Sequence, residues 1–237
     1  VEKLPVCSEP KIDIHGSRAE IDRRVKEVLE DALSVYRVHV AQLQKLGPTV
    51  IVPQAQCEVC AVSLEDVKNA ACQVLPTQPA VVSLSPNSMA DIYNDFLRLG
   101  RALGALEQAE ALIIRVRDGV AAVGQATADF QRRPRVAFLE WTDPLWTSGI
   151  WMPELIEAAG GEDIWGKAGE HSRGAEFSEL AATDPDVIIF GVCGYDIATT
   201  RREMSVLTER PEWKGLRAVR EGEVYITDGN QYFNRPG

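Results

Sequence analysis

The sequence predicts an α/β protein of two Rossmann-like lobes, each with a central parallel sheet, joined by one long connecting helix. Three observations predict it. Short apolar runs alternate with helical patterns before Leu84, and they alternate again after Pro134. A proline-free helical pattern from about Leu106 to Phe130 separates the two alternating regions. A chain of 237 residues has room for two lobes of ~100–120 residues each. The lobes are expected over residues 1–105 and 132–237, with the connecting helix over 106–131.

In the first lobe, Leu4 to Cys7 reads as a short strand. A helix is expected from Ser17, whose hydroxyl and Glu20 three residues on form a capping box. Its apolar positions Ile21, Val25, Val28 and Leu29 recur at helical spacing. A short helix carrying Val40, Leu43 and Leu46 stops at Gly47-Pro48. Val50 to Val52 is a strand, Ser63 opens another helix, and Ala80 to Leu84 is a second strand.

Ser88 to Leu103 is helical. The Leu106–Phe130 pattern places Leu112, Ile113, Val116, Val120 and Val123 on its apolar face. About 25 residues of helix reach ~37 Å, a suitable length for a strut between lobes.

In the second lobe, Val136 to Leu139 is a buried strand. Pro153 starts a helix that ends at Gly160-Gly161, and Glu176 to Thr183 is helical. Asp184-Pro185-Asp186 turns into the strand Val187–Phe190. Helical stretches follow around Thr200–Glu209 and Glu212–Val219, and Val224–Ile226 is the last strand.

Composition excludes several classes. The formal charge of -10 opposes binding to nucleic acid or to anionic lipid, since either needs a basic face. No apolar run approaches the ~20 residues of a membrane helix. Val1 to Pro10 lack the basic start and apolar stretch of a signal peptide. The odd count of five cysteines does not form a disulfide framework. No dinucleotide fingerprint, phosphate loop or Gly-x-Ser-x-Gly elbow is present. His15, His39 and His171 show no metal-binding spacing, so no catalytic residue and no metal site are assigned.

Candidate binding residues fall where strands of the second lobe end, the usual position for ligands on open α/β sheets. Trp141, Trp146 and Trp151 share one stretch after the Val136–Leu139 strand, and they are three of the five tryptophans. Large rings suit a large, flat, partly apolar ligand. Val192 to Asp196 adds Cys193 and Tyr195. The segment from Asp228 to Pro236 adds Tyr232, Phe233 and Arg235, the last a candidate partner for a carboxylate or phosphate. On the first lobe, Gln56 and Cys57 follow a strand. Cys57-Glu58-Val59-Cys60 also admits redox chemistry or half a zinc site.

Four segments carry a resemblance. They are Leu43 to Val52; Gln56 to Ser63 with its two cysteines; Phe138-Leu-Glu140-Trp141 with Trp151-Met-Pro-Glu-Leu and Ala159-Gly-Gly-Glu-Asp; and Val192-Cys-Gly-Tyr195 with Asp228 to Pro236. Over nearly its whole length the chain resembles the periplasmic-type cobalamin-binding proteins. These lie within the group that binds vitamin B12, haem and iron-siderophores for ABC importers. The resemblance implies a monomeric, periplasmic or extracytoplasmic binding protein without enzymatic activity. Cobalamin or a related corrinoid would be the transported ligand, held between the lobes with small closure and delivered to a membrane permease. It implies docking through one acidic residue per lobe: Glu65 in the first, and in the second a position occupied by Ser178, flanked by Glu176 and Glu179. It also implies a strand before Val1 and a closing helix after Gly237. Haem or a ferric siderophore is the alternative cargo of the same fold, with His171 and Tyr195 as candidate axial ligands for haem. A redox or metal protein built on Cys57 and Cys60 is the more distant alternative.

Overall fold

A computed structural model describes residues 40–53, 64, 67–69, 71, 75 and 79–233. The expected strand at Leu4–Cys7 and the helix from Ser17 lie outside the described residues. So do Gln56, Cys57, Cys60, Glu65 and Arg235. The chain forms two compact units, Val1–Ser85 and Pro86–Gly237.

In the first unit, helix α1 (Val40–Leu46) stops at Gly47, whose φ of 52° is left-handed and suits a residue without Cβ. Strands β1 (Val50–Ile51) and β2 (Ala80–Val81) pair in parallel, with Val50 opposite Ala80. Leu84 N donates to Pro53 O at 3.0 Å and continues the pairing. Leu64, Val67, Lys68, Asn69 and Ala71 are helical, in the region where Ser63 was expected to open a helix. Val67, Ala71, Leu75 and Val82 are buried.

The second unit begins with two helices. Helix α2 (Met89–Leu103) is capped by Ser88, whose hydroxyl accepts from Asp91 N at 3.1 Å and donates to the Asp91 carboxylate at 2.8 Å. It ends at Gly104 in the left-handed region (φ 67°). Helix α3 (Leu106–Thr127) follows at once, 22 residues of the expected long pattern. The two cross tightly: a Cβ on Gly100 would lie 2.7 Å from Ala109 Cβ.

A six-stranded mixed sheet organises the rest. Its central strand is β3 (Arg135–Thr142). On one side β3 pairs in parallel with β7 (Val187–Phe190), which pairs in parallel with β8 (Val224–Ile226). On the other side β3 changes partner along its length. Arg135 and Val136 pair in parallel with β5 (Glu162–Asp163). Leu139 to Thr142 pair in antiparallel fashion with β4 (Leu145–Thr147), which pairs with β6 (Gly174–Ala175). The sheet is therefore parallel on one flank, while the other is parallel at β5 and antiparallel through β4 and β6.

Side-chain alternation along β3 feeds two cores. Ala137 and Leu139 join Leu180, Ile188, Phe190, Val192 and Trp213 in one. Val136 and Phe138 join Met152 and Ile156 of helix α4 (Met152–Ala158) in the other. Glu154 on α4 accepts from Met89 N at 2.8 Å and so ties α2 to this layer. Helix α5 (Phe177–Thr183) starts at the capping residue Glu176.

Two helical expectations are corrected in detail. The Thr200–Glu209 stretch begins earlier, because Asp196 caps it by accepting from Thr199 N at 2.7 Å. It divides into α6 (Ile197–Glu203) and α7 (Ser205–Thr208). The Glu212–Val219 stretch divides at Leu216, whose backbone is extended (φ -64°, ψ 139°). This separates a 3-10 turn (Pro211–Gly215) from α8 (Arg217–Glu221). A last short helix, α9 (Gly229–Tyr232), is capped by Asp228.

Candidate functional site

The carboxyl ends of β3, β7 and β8 bring several of the expected residues together. The tryptophan stretch is not an open loop: it is the β3–β4 hairpin, turning at Asp143–Pro144 through a cis peptide. Leu139 faces Thr147 and then Trp141 faces Trp146, so Glu140 is the extra residue of a β-bulge. The bulge places Trp141 and Trp146 opposite one another. Trp146 is 40% exposed. Trp141 is half-buried, and its Nε1 donates to Asp143 O at 3.0 Å. Trp151 sits apart, at the start of α4.

The turn after β7 supplies the next wall. Tyr195 meets Trp141 with ring centroids 5.1 Å apart. Cys193 is exposed, and its backbone N donates to Glu140 O at 3.1 Å, which fixes the turn to the bulge. The segment after β8 is tied to the same turn, with Asn230 N donating to Tyr195 O at 3.1 Å. Gly229 permits this approach, since a Cβ there would lie 1.9 Å from Val192 O. Tyr232 is 66% exposed. Phe233 turns away from this group: its ring meets the edge of Phe138 at 5.1 Å, in the core on the opposite face of the sheet from Trp141.

Beside the hairpin lies a pocket of about 370 Å³ that the sequence did not reveal. Ser148, Trp165, Lys167, Glu170, His171 and Arg173 are among its lining residues. One wall is the segment 147–150 and the other is 164–173. They are joined by Thr147 N to Arg173 O at 3.0 Å, Ile150 N to Glu170 O at 2.6 Å and Gly169 N to Ile150 O at 2.9 Å. Its one sequence signal is the pair of short glycine-containing segments, Ser148-Gly149-Ile150 and Gly166 to Gly169, flanking the candidate ring residues. His171, singled out only as a possible iron ligand, is exposed at this pocket.

Glu176 and Glu179 form a reciprocal capping box at the start of α5. Glu179 also pairs with Arg173 at 2.9 Å, and that hydrogen bond holds its carboxyl below the usual glutamate range. Glu176 and Ser178 are exposed. Among the described residues, no three of His, Cys, Asp and Glu are placed to hold a metal ion. No helix among them is long and apolar enough to cross a membrane.

The family model described as periplasmic binding protein matches residues 31–231. No curated protein matches the chain. Several solved structures share the fold. An ABC transporter substrate-binding protein from Listeria monocytogenes is 18% identical with a TM-score of 0.65, over 81% of this chain and 72% of that one. S. aureus IsdE complexed with heme is 17% identical with a TM-score of 0.62, over 80% and 71%. The periplasmic vitamin B12 binding protein BtuF of Vibrio cholerae is 14% identical with a TM-score of 0.59, over 85% and 72%.

Proposed function

This chain belongs to the periplasmic binding protein family, and we propose that its cargo is a corrinoid, cobalamin or a close relative, which it delivers to an ABC permease. It is a substrate-binding protein of the ABC-importer type, a class of transport proteins rather than enzymes. We place its action outside the cytoplasm, as the family implies.

One observation carries the choice of cargo. On the carboxyl-end side of the sheet the Trp141 and Tyr195 rings meet, and Trp146, 40% exposed, lies opposite Trp141 in the hairpin register. Flat rings held at both edges cover a large, partly apolar macrocycle at little cost in side-chain entropy. The vitamin B12 binding protein of Vibrio cholerae shares the fold and supports the reading.

A second reading, haem, is favoured by the pocket. It sets an exposed histidine beside Lys167 and Arg173, an imidazole with two cations of the kind that suit a metal porphyrin with carboxylate arms. The heme complex of S. aureus IsdE supports this alternative on fold alone.

Calorimetric titration with cyanocobalamin and with haemin separates the two. One-to-one micromolar or tighter binding of cyanocobalamin alone is the expected result. Binding of haemin alone replaces the first reading by the second, and binding of neither removes both.

A further inference from the structure

Two tryptophans lie outside the stretch that carries the other three. Trp213 is buried in the core, whereas Trp165 is half-buried between that core and the pocket it lines. The residue two positions before Trp165 holds it in place. Asp163 closes β5 opposite Val136 of the central strand, and Ile164 N donates to Val136 O at 3.1 Å. One oxygen of the Asp163 carboxylate accepts from Trp165 N at 2.9 Å and from Gly166 N at 2.6 Å, an Asx turn that sets the course of the chain at the ring. The other oxygen accepts from the Ser148 hydroxyl on the opposite wall. The walls meet closely at this point: a Cβ on Gly166 would lie 2.7 Å from Ser148 Oγ and 2.8 Å from Asp163 Oδ2. Ser148, Trp165 and Gly166 line the pocket, and Asp163 does not.

We infer that Trp165 is a cargo-contacting ring and that Asp163 is the positioning residue that presents it, by fastening segment 164–166 to the 147–150 wall. The inference rests on the pocket being part of the cargo site.

The backbone bonds between the walls fall at the far end of the second segment. Ile150 N reaches Glu170 O, Gly169 N reaches Ile150 O, and Thr147 N reaches Arg173 O. At the near end the amides of Trp165 and Gly166 both turn to the Asp163 carboxylate. Bonds to an ionised acceptor are stronger than neutral ones, so this one side chain fixes the turn firmly. Without it two amides lose their acceptor, and the cargo would have to order the segment at the expense of affinity. An indole already packed on the core gives up little freedom when a flat ligand meets it.

The test compares the full-length chain with D163A, D163N, S148A and W165A, and with F233A as a control. Amide exchange is followed at residues 165 and 166, in parallel with titrations by cyanocobalamin and haemin. D163A removes the acceptor of both amides. Their exchange should quicken by about tenfold or more, and affinity for the ligand that binds should fall by about tenfold or more. Asparagine keeps an acceptor oxygen for the amides and an NH2 group that can donate to Ser148 Oγ, so D163N should return both quantities to within about threefold. S148A breaks only the link between the walls. It should weaken binding by about threefold or more and leave the two amides protected. W165A should weaken binding as D163A does, by about tenfold or more. F233A disturbs the Phe138 contact in the other core, so it should lose thermal stability and keep its affinity.

Unchanged exchange in D163A overturns the role of Asp163. Faster exchange with unchanged affinity overturns the inference and leaves the cargo reading intact. So does unchanged affinity in W165A. Equal losses of affinity in D163A and F233A, or in D163A and D163N, overturn the positioning role as well. If D163A does not fold, S148A decides, and unaltered affinity there overturns the inference. Binding of neither ligand by the unaltered chain removes the cargo reading and takes this assignment with it.

Discussion

Asp186, the residue before β7, accepts from Arg217 Nη1 at 2.5 Å, so the start of β7 is clamped to the start of α8. The same carboxylate accepts from Arg135 N at 2.8 Å and pairs with Arg132. Arg217 N donates in turn to Asp184 Oδ1 at 2.7 Å. The cluster pins the amino-end side of the sheet, away from the aromatic group.

Burial works against ionisation of Asp186, but the Arg135 amide and the Arg132 and Arg217 guanidiniums prevail, and its carboxyl lies below the usual aspartate range. A depressed folded-state value gives stability that is present above the ordinary aspartate pKa and is lost as pH falls through the folded one. Asp186→Asn should cost about 2 kcal/mol at neutral pH. The cost should shrink on acidification. Urea unfolding at several pH values checks both; a pH-independent cost would show that the charge is immaterial.

Trp141 and Phe233 should separate binding from folding. Trp141→Ala removes a ring on the cargo side and should weaken cobalamin binding by roughly tenfold or more, as loss of one aromatic anchor commonly does. Phe233→Ala removes a partly buried ring from the Phe138 contact. It should cost about 2 kcal/mol of stability, at the low end for a large-to-small change. It should leave affinity within a factor of about three, below the ~1.4 kcal/mol that tenfold represents. Calorimetric titration and thermal unfolding of both variants decide the matter. Equal losses of affinity would place Phe233 in the site after all.

For docking, Glu176→Gln is the informative change. The amide oxygen keeps the cap on α5, so stability should stay within about 0.5 kcal/mol. The negative charge is gone, so cargo delivery to a reconstituted permease should fall and become less sensitive to salt, with cargo affinity unchanged. Unaltered delivery would remove Glu176 from the docking surface.

The strands β7 and β8 and the core of β3 were legible because continuous apolar runs bounded by turn residues admit few other structures. The helix near Ser88 and the stop at Gly47 were legible for the same local reason, but the cap formed by Ser88 was not read. The hairpin was not. Asp143-Pro144 marks a turn, but β4 has three residues, too few to display a period of two, and its pairing with β6 depends on residues far along the chain. Trp141, Trp146 and Tyr195 were named from residue type and strand ends; the structure brings the Trp141 and Tyr195 rings together and sets Trp146 opposite Trp141 across the hairpin. Nothing local distinguishes Phe233, which follows Tyr232 directly yet packs in the core against Phe138. The pocket was illegible because backbone hydrogen bonds between distant segments build it. Glu140 reads locally as one polar residue in an apolar strand.

Because β3 supplies alternate residues to both cores, and hydrogen-bonds to β4, β5 and β7, neither core can melt while the other survives. Strands β3 and β7 should therefore behave as one cooperative block in native-state exchange, opening only with the whole unit. Evolutionary or engineered changes of cargo would then have to come from exposed rings and wall segments such as Trp146, Tyr232 and 164–173, since any rearrangement of β3 puts the entire unit at risk.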